Sequence, residues 1–285
     1  MSFEYFKPES LEDALRVYQE AGEEAEILAG GTAVNLLIGQ RLLSPTALID
    51  LANIQELRGI RLDGERLRIG AMTRLTDIVS SELVQKYAPG LASACAVVGN
   101  VRVRHQATLG GNLVEADYAS DPPAMLLALD AAVVLMGPDT KRELPLASFL
   151  QGFYLTAIEP HEILTEIVIP VRGENVRMAY RKFKTRSAED RPALGIAVVV
   201  NIEDGVCRQL RLSVGAAVET PRRFPEVEAV AEGLPLEKDL IKMIADSYAE
   251  GIEPLDDLRA SAWYRREMIR VEIQRALGDI HDGRR

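Results

Sequence analysis

Two glycine-rich segments decide what this chain can fold into and bind: Ala29-Gly30-Gly31-Thr32 and Thr108-Leu109-Gly110-Gly111-Asn112. Glycine has no Cβ, so the backbone N–H groups around it are unshielded, and runs of such groups form binding sites for phosphate. We therefore predict that the two segments are turns that close on opposite sides of one pyrophosphate. This dinucleotide site would lack the Gly-x-Gly-x-x-Gly pattern of the Rossmann fold.

The residues next to the glycines fit the same interpretation. In the first segment Thr32 adds a hydroxyl donor, and residues 33–38 are predicted to begin a helix whose positive end faces the anion. In the second segment the amide of Asn112 would replace one backbone donor. Either segment alone is also compatible with an ordinary loop, so the prediction depends on their occurring together.

The composition excludes several classes of protein. A net charge of −10 disfavours nucleic acid or an anionic membrane as the main partner. Cys95 and Cys207 are too few for an iron–sulfur cluster, which usually needs four thiolates, and they give no disulfide framework. There is no signal-peptide pattern at the start, and no apolar run approaches the roughly 20 residues that span a bilayer. We expect a cytoplasmic protein.

The order of predicted elements indicates an α+β fold. Strands are expected at 26–29, 47–50, 132–136 and 163–170, with a hairpin around Asp63-Gly64. The pattern changes near residue 172. Antiparallel strands are predicted beyond it at 180–184, 193–202 and 206–215, followed by helices at 236–250 and 257–277.

Two further groups of polar residues are candidates for a site. Asp121 precedes two prolines, where it would cap a helix or accept hydrogen bonds from a ribose or ribityl hydroxyl. Lys182, Lys184 and Arg186 alternate, which predicts either a solvated basic edge of a strand or cations near a phosphate or an electron-rich ring. The sequence contains no zinc-ligand spacing, serine nucleophile elbow or P-loop.

The motifs together resemble the FAD-binding subunits of molybdenum hydroxylases, such as those of carbon monoxide dehydrogenase and bacterial xanthine dehydrogenase. The resemblance is carried by residues 27–32, 108–112 and 121–130, and it extends over nearly the whole chain. It implies a two-subdomain FAD-binding fold of the vanillyl-alcohol-oxidase/molybdenum-hydroxylase type at 1–56 and 57–172. A C-terminal α+β domain with an antiparallel sheet and helices would follow at 173–285.

The resemblance also implies FAD as the cofactor and assigns residues to it. Asp121 would contact the ribose or ribityl region, and Leu164 and Lys184 would lie near the flavin. No catalytic residue and no metal ligand is implied in this chain. The pyrophosphate would be held by Leu28, Ala29, Gly30, Gly31, Thr32, Ala33, Val34, Thr108, Gly110, Gly111 and Asn112.

A division of labour among subunits follows from the resemblance. A large subunit with molybdopterin would oxidise the substrate, a small subunit with 2Fe–2S clusters would relay electrons, and this chain would pass them to NAD, oxygen or a quinone. The expected assembly is a dimer of heterotrimers. Apolar Ala33 and Val34, and Arg191-Pro192, depart from the family pattern.

Two alternative functions remain open from the sequence. A stand-alone FAD-dependent oxidase or dehydrogenase would need a general base over the flavin, for which the sequence has no clear candidate. A non-enzymatic flavin-binding assembly protein would bind FAD without passing electrons to any acceptor.

Overall fold

The computed structural model describes residues 3–187 and 189–283, which form three main sheets with helices packed on them. In the first sheet, β1 (Glu4–Phe6) and β2 (Ala25–Leu28) lie parallel to the central strand β3 (Ala47–Asp50). Helix α1 (Leu11–Ala21) connects β1 to β2, and helix α2 (Val34–Gly39) follows β2. The first glycine segment therefore lies at the carboxyl end of a parallel strand, where α/β sheets commonly bind ligands.

The second sheet is antiparallel, with the order β4-β5-β10-β6-β7. Its strands are β4 (Ile60–Asp63), β5 (Arg66–Gly70), β6 (Ala132–Met136), β7 (Lys141–Pro145) and β10 (Ile163–Pro170). The helices between β5 and β6 are α3 (Leu75–Ser80), α4 (Glu82–Tyr87), α5 (Pro89–Ala96), α6 (Val101–Gln106), α7 (Leu109–Glu115) and α8 (Pro122–Ala128). Helix α9 (Leu146–Phe149) and a small hairpin of β8 (Leu150–Gly152) and β9 (Leu155–Thr156) precede β10.

The third sheet is also antiparallel, with β12 (Leu194–Glu203) between β11 (Val176–Phe183) and β13 (Val206–Gly215). Asp204 and Gly205 connect β12 to β13 with φ of +53° and +77°, as a two-residue hairpin turn requires. Helices α10 (Pro225–Ala229), α11 (Lys238–Gly251) and α12 (Ala262–His281) complete the chain. No helix in the two described ranges is long and apolar enough to cross a membrane.

Strand β12 is buried on both faces. Leu194, Ile196 and Val198 pack into one core with the last two helices, whereas Ala197 and Val199 pack into the core of the second sheet. Helix α8 lies against β12 and β13 so closely that a Cβ at Gly215 would be 2.9 Å from the Cβ of Ala124. The third sheet is therefore shared between two cores.

The mixed helix and sheet class is confirmed, and the strands predicted at 47–50, 132–136, 163–170 and 206–215 have the predicted ends. The last helix begins at Ala262 and not at residue 257. The Asp257 carboxylate accepts hydrogen bonds from the N–H groups of Arg259 and Ala260, which holds this segment in a loop, and Ser261 caps the helix. The short helices α3, α4, α6 and α7 were not predicted.

Candidate functional site

The first glycine segment connects β2 to α2. Gly31 has φ of +71°, a conformation that favours glycine. Ala33, which precedes α2, has no polar side chain with which to cap it. Within the described residues, no protein group accepts a hydrogen bond from the backbone N–H groups of residues 30–34. Residues 30–34 are all at least partly exposed, so these N–H groups, which have no partner in the described residues, are candidates to bind an anion.

The second glycine segment is not an open turn, which corrects the prediction that it offers backbone donors. Thr108 caps α7, and its Oγ1 accepts a hydrogen bond from the Gly111 N–H at 3.1 Å. The N–H groups of Leu109 and Gly110 donate to backbone carbonyls in the segment after β5, at 3.0 and 2.9 Å. The Asn112 N–H likewise donates to the Thr108 carbonyl, so the N–H groups of residues 109–112 are already bonded and are not available to a ligand.

The two glycine segments lie against each other. A Cβ at Gly30 would come within 2.0 Å of the carbonyl oxygen of Gln106, which lies two residues before the second segment. A Cβ at Gly111 would come within 3.4 Å of the Cβ of Ala29. The structure therefore brings together the two segments that the sequence singled out, and glycine is what permits the close approach at residue 30.

The side chain of Asn112 is oriented by a neighbour that the sequence analysis missed. The Ser120 hydroxyl donates to Asn112 Oδ1 at 2.9 Å, which leaves the amide NH₂ group to point away from that bond. No group in the described part of the chain accepts from this NH₂. Asn112 thus presents an amide donor whose orientation is set by Ser120.

Asp121 does not cap α8, contrary to one of its two predicted roles. Its backbone is helical and its side chain accepts no hydrogen bond from the helix. The carboxylate is 2% exposed and accepts hydrogen bonds from Tyr180 OH at 2.8 Å and Lys182 Nζ at 2.9 Å. Burial raises the pKa of Asp121, and Lys182 opposes that increase. Contact with a ribose or ribityl hydroxyl stays a prediction.

The three basic residues Lys182, Lys184 and Arg186 differ in their exposure to solvent. The Lys182 side chain is 3% exposed and also donates to the Val97 carbonyl at 2.8 Å, so it does not belong to a solvated edge. Strand β11 ends at Phe183, and Lys184 leaves it close enough to Asp121 to lower the pKa of that carboxyl group. Arg186 is exposed.

The remaining predicted residue, Leu164, lies in β10 and is buried in the core of the second sheet. It pairs with Leu135 of β6, and the register of the ladder shifts directly after it. Its predicted position near the flavin stays a prediction.

An ion pair between residues far apart in the sequence was also not predicted. Arg191 Nη1 lies 3.0 Å from Asp117 Oδ2, so one of the four residues that depart from the family pattern contacts the segment between α7 and α8. No local pattern could have revealed this pair, because the partners are far apart in the sequence. Tyr180, in contrast, could have been found from the sequence, because residues two apart in a strand share a face and Lys182 was already a candidate.

The unfilled donors at the first segment are neutral N–H groups, which suit an anionic ligand such as a pyrophosphate. Among the described residues, no three His, Cys, Asp or Glu side chains converge as a metal site. Cys95 and Cys207 are buried free thiols, and burial raises the pKa of both.

Comparisons with known proteins agree with this geometry. Residues 1–172 match the family model of the FAD binding domain in molybdopterin dehydrogenase, and residues 178–280 match that of the CO dehydrogenase flavoprotein C-terminal domain. The carbon monoxide dehydrogenase medium chain of Hydrogenophaga pseudoflava is 34% identical, covering 96% of each chain. The glyceraldehyde dehydrogenase medium chain of Sulfolobus acidocaldarius is 32% identical, covering 98% of each chain. A structure of reconstituted CO dehydrogenase from Oligotropha carboxidovorans matches with a TM-score of 0.95 at 34% identity, over 99% of this chain and 98% of that one.

Proposed function

This chain belongs to the family of FAD-binding subunits of molybdopterin dehydrogenases, and from that membership we propose that it is the electron-transfer subunit of a heteromeric molybdenum hydroxylase. The relatives are named as dehydrogenase chains, and the chain is accordingly an oxidoreductase subunit. In this proposal it receives electrons from a partner with 2Fe–2S clusters and delivers them to NAD, oxygen or a quinone.

The observation that carries the proposal is the set of unfilled N–H groups at residues 30–34. Bound FAD would supply the redox chemistry, while the protein binds and orients it. Residues 28–34 hold the pyrophosphate in this proposal, with the N-terminus of α2 adding a positive partial charge. Apolar Ala33 and Val34 contribute backbone donors, which do not depend on the side chain.

The other predicted residues take supporting positions in the proposal. Thr108 and Asn112 approach the cofactor with their side chains, and Gly110 and Gly111 allow the close packing that places them there. Lys184 puts a positive charge beside the flavin ring, with Leu164 and Asp121 nearby.

We extend the proposal to the partners and the organisation of the chain. A molybdopterin-binding large subunit and a 2Fe–2S small subunit complete a heterotrimer, two of which associate in the cytoplasm. The relatives' designation as medium chains supports a complex of several subunits. The proposed domains are the FAD-binding subdomains at 1–56 and 57–172 and the C-terminal domain at 173–285.

The first experiment is a visible spectrum of the purified full-length chain, followed by identification of any released flavin. Bound FAD is the expected result, and co-expression with the neighbouring genes should yield iron–sulfur and molybdenum subunits in the same complex. A chain that stays colourless with added FAD would contradict the proposal. Turnover of a small alcohol by the chain alone would favour the stand-alone oxidase, and bound FAD without electron transfer to any acceptor would favour the assembly protein.

A charge variant tests the pyrophosphate site without disturbing the fold. Ala33→Asp puts a carboxylate at the N-terminus of α2, where it favours the helix but repels a phosphate. We expect FAD binding to weaken while the unfolding temperature stays the same or rises. Gln40→Glu, which adds the same charge at the opposite end of α2, is the control. Equal FAD affinity in both variants would place the pyrophosphate elsewhere.

A further inference from the structure

Helix α8 is held to the third sheet by ionic contacts at both ends. Asp121 precedes the helix and pairs with Lys182 of β11. Asp130 follows the helix and lies 2.5 Å from both Arg211 Nε and Arg223 Nη1. The sheet therefore contacts α8 through two charged groups as well as through the apolar packing between them.

The two ends differ in their exposure to solvent. The side chains of Asp121 and Lys182 are each 3% exposed, whereas that of Asp130 is 39% exposed. A buried ion pair carries a large desolvation cost and gives little net stability, unless further hydrogen bonds satisfy its remaining polar atoms. Here Tyr180 OH donates to the carboxylate, and Lys182 Nζ also donates to the Val97 carbonyl. Such a network holds its members in one geometry.

The buried network of Asp121, Tyr180 and Lys182 is connected through neighbouring residues to both sides of the proposed cofactor site. Ser120, the residue before Asp121, donates to Asn112 of the second glycine segment. Lys184 is two residues beyond Lys182, at the point where the chain leaves β11. A shift of Lys182 relative to Asp121 would therefore move Lys184 and Asn112 relative to each other.

We propose that Lys182 is a positioning residue for FAD, which acts through its ion pair with Asp121 and does not touch the cofactor. The pair sets the spacing between Asn112, on the pyrophosphate side, and Lys184, on the flavin side. This inference rests on the proposed function of the chain as an FAD-binding subunit.

The test uses the full-length chain freed of flavin, titrated with FAD. In the variant Lys182→Met, we expect the dissociation constant to rise about tenfold, or about 1.4 kcal/mol of binding free energy. The visible circular dichroism of the bound flavin should change as well, because it reports the surroundings of the ring. Asp130→Asn is the matched control, since it weakens the contact at the other end of α8. It should lower the unfolding temperature and leave FAD affinity and the flavin signal unchanged.

A second variant separates positioning from the cost of a buried unpaired charge. Lys182→Met leaves the Asp121 carboxylate without its cation, which can prevent folding. Asp121→Asn combined with Lys182→Met removes both charges and should fold with nearly the wild-type unfolding temperature. The asparagine amide keeps an oxygen that can accept a hydrogen bond from a ribose or ribityl hydroxyl. Weak FAD binding and an altered flavin signal that persist in this double variant, as we expect, therefore come from the lost ion pair. Recovery of both would overturn the inference.

The outcomes also separate this inference from the proposed function. A wild-type chain that binds no FAD would contradict both. Wild-type binding together with an unaffected Lys182→Met variant, or equal losses in that variant and in Asp130→Asn, would contradict only the positioning role.

Discussion

The absence of one Cβ at Gly30 allows the two glycine segments to meet. Gly30→Ala would put a methyl carbon 2.0 Å from the Gln106 carbonyl oxygen, so one of the two backbones must move. Overpacking of this kind costs about 1–3 kcal/mol. We expect a loss of that size in the free energy of unfolding in urea, measured without FAD, and weaker FAD binding. Gly39→Ala, where a Cβ meets open space, is the control, and equal losses in both variants would contradict the argument.

Asp257 joins the loop before α12 to the segment between α7 and α8. Its carboxylate accepts hydrogen bonds from Tyr118 OH and the guanidinium groups of Arg259 and Arg265. Burial alone would raise the pKa of Asp257, but the hydrogen bonds from the Arg259 backbone and the Arg265 guanidinium outweigh it and hold the pKa well below its usual range.

The lowered pKa of Asp257 predicts how stability depends on pH. A carboxyl group whose pKa is lower in the folded state stabilises the protein above its unfolded pKa of about 3.9. That contribution is lost as the pH falls through the folded pKa. The difference in unfolding free energy between wild type and Asp257→Asn should therefore shrink on acidification below about pH 5. The exposed Asp139→Asn is the control, and a difference independent of pH would contradict the prediction.

At the scale of elements, helix α7 depends on its cap. Thr108 Oγ1 accepts the Gly111 N–H, and loss of an N-cap hydroxyl costs about 1 kcal/mol. Thr108→Ala should lower the unfolding free energy by about that amount, whereas Thr108→Ser keeps the oxygen and should stay near wild type. Thermal unfolding of the flavin-free variants measures both effects. A serine variant as unstable as the alanine variant would show that the methyl group matters and the cap does not.

The two glycine segments show how far local sequence predicts an element. The first was predicted as a turn between a strand and a helix, and the structure has this arrangement. The prediction succeeds because the positive φ that the turn needs is adopted by Gly31 itself. The second also contains a Gly-Gly pair and a threonine, yet Gly110 and Gly111 lie inside a helix. Its N–H groups find partners in the segment after β5, and a local pattern contains no information on such distant partners.

The basic segment in β11 illustrates the same limit. Alternation predicted Lys182, Lys184 and Arg186 on one face of a strand, but the strand ends at Phe183, so only Lys182 lies in it. It could not tell whether Lys182 was solvated, because the groups that its ammonium contacts, the Asp121 carboxylate and the Val97 carbonyl, lie 61 and 85 residues away in the sequence. The sequence could therefore predict a strand here, but neither its end at Phe183 nor the ion pair that Lys182 forms.

For the whole molecule, the change in sequence pattern near residue 172 correctly indicated that a separate antiparallel sheet, the third, follows. It did not show that this sheet belongs to two cores. The apolar run in β12 predicts burial on both faces, but it does not identify what covers each face. The answer depends on α8, whose own prolines and apolar residues gave no indication that it packs against a sheet formed later in the chain.

Because β12 contributes to two cores, we expect the second and third sheets to unfold together. Val199→Ala truncates a side chain that packs with the second sheet, although its strand belongs to the third. Removing two buried methyl groups costs about 1.5–3 kcal/mol. Native-state hydrogen exchange should therefore accelerate in both β10 and α12, since a shared unit opens as one. Val198→Ala, on the opposite face, should give the same pattern. Acceleration confined to β10 in the first variant and to α12 in the second would show that the two cores open independently.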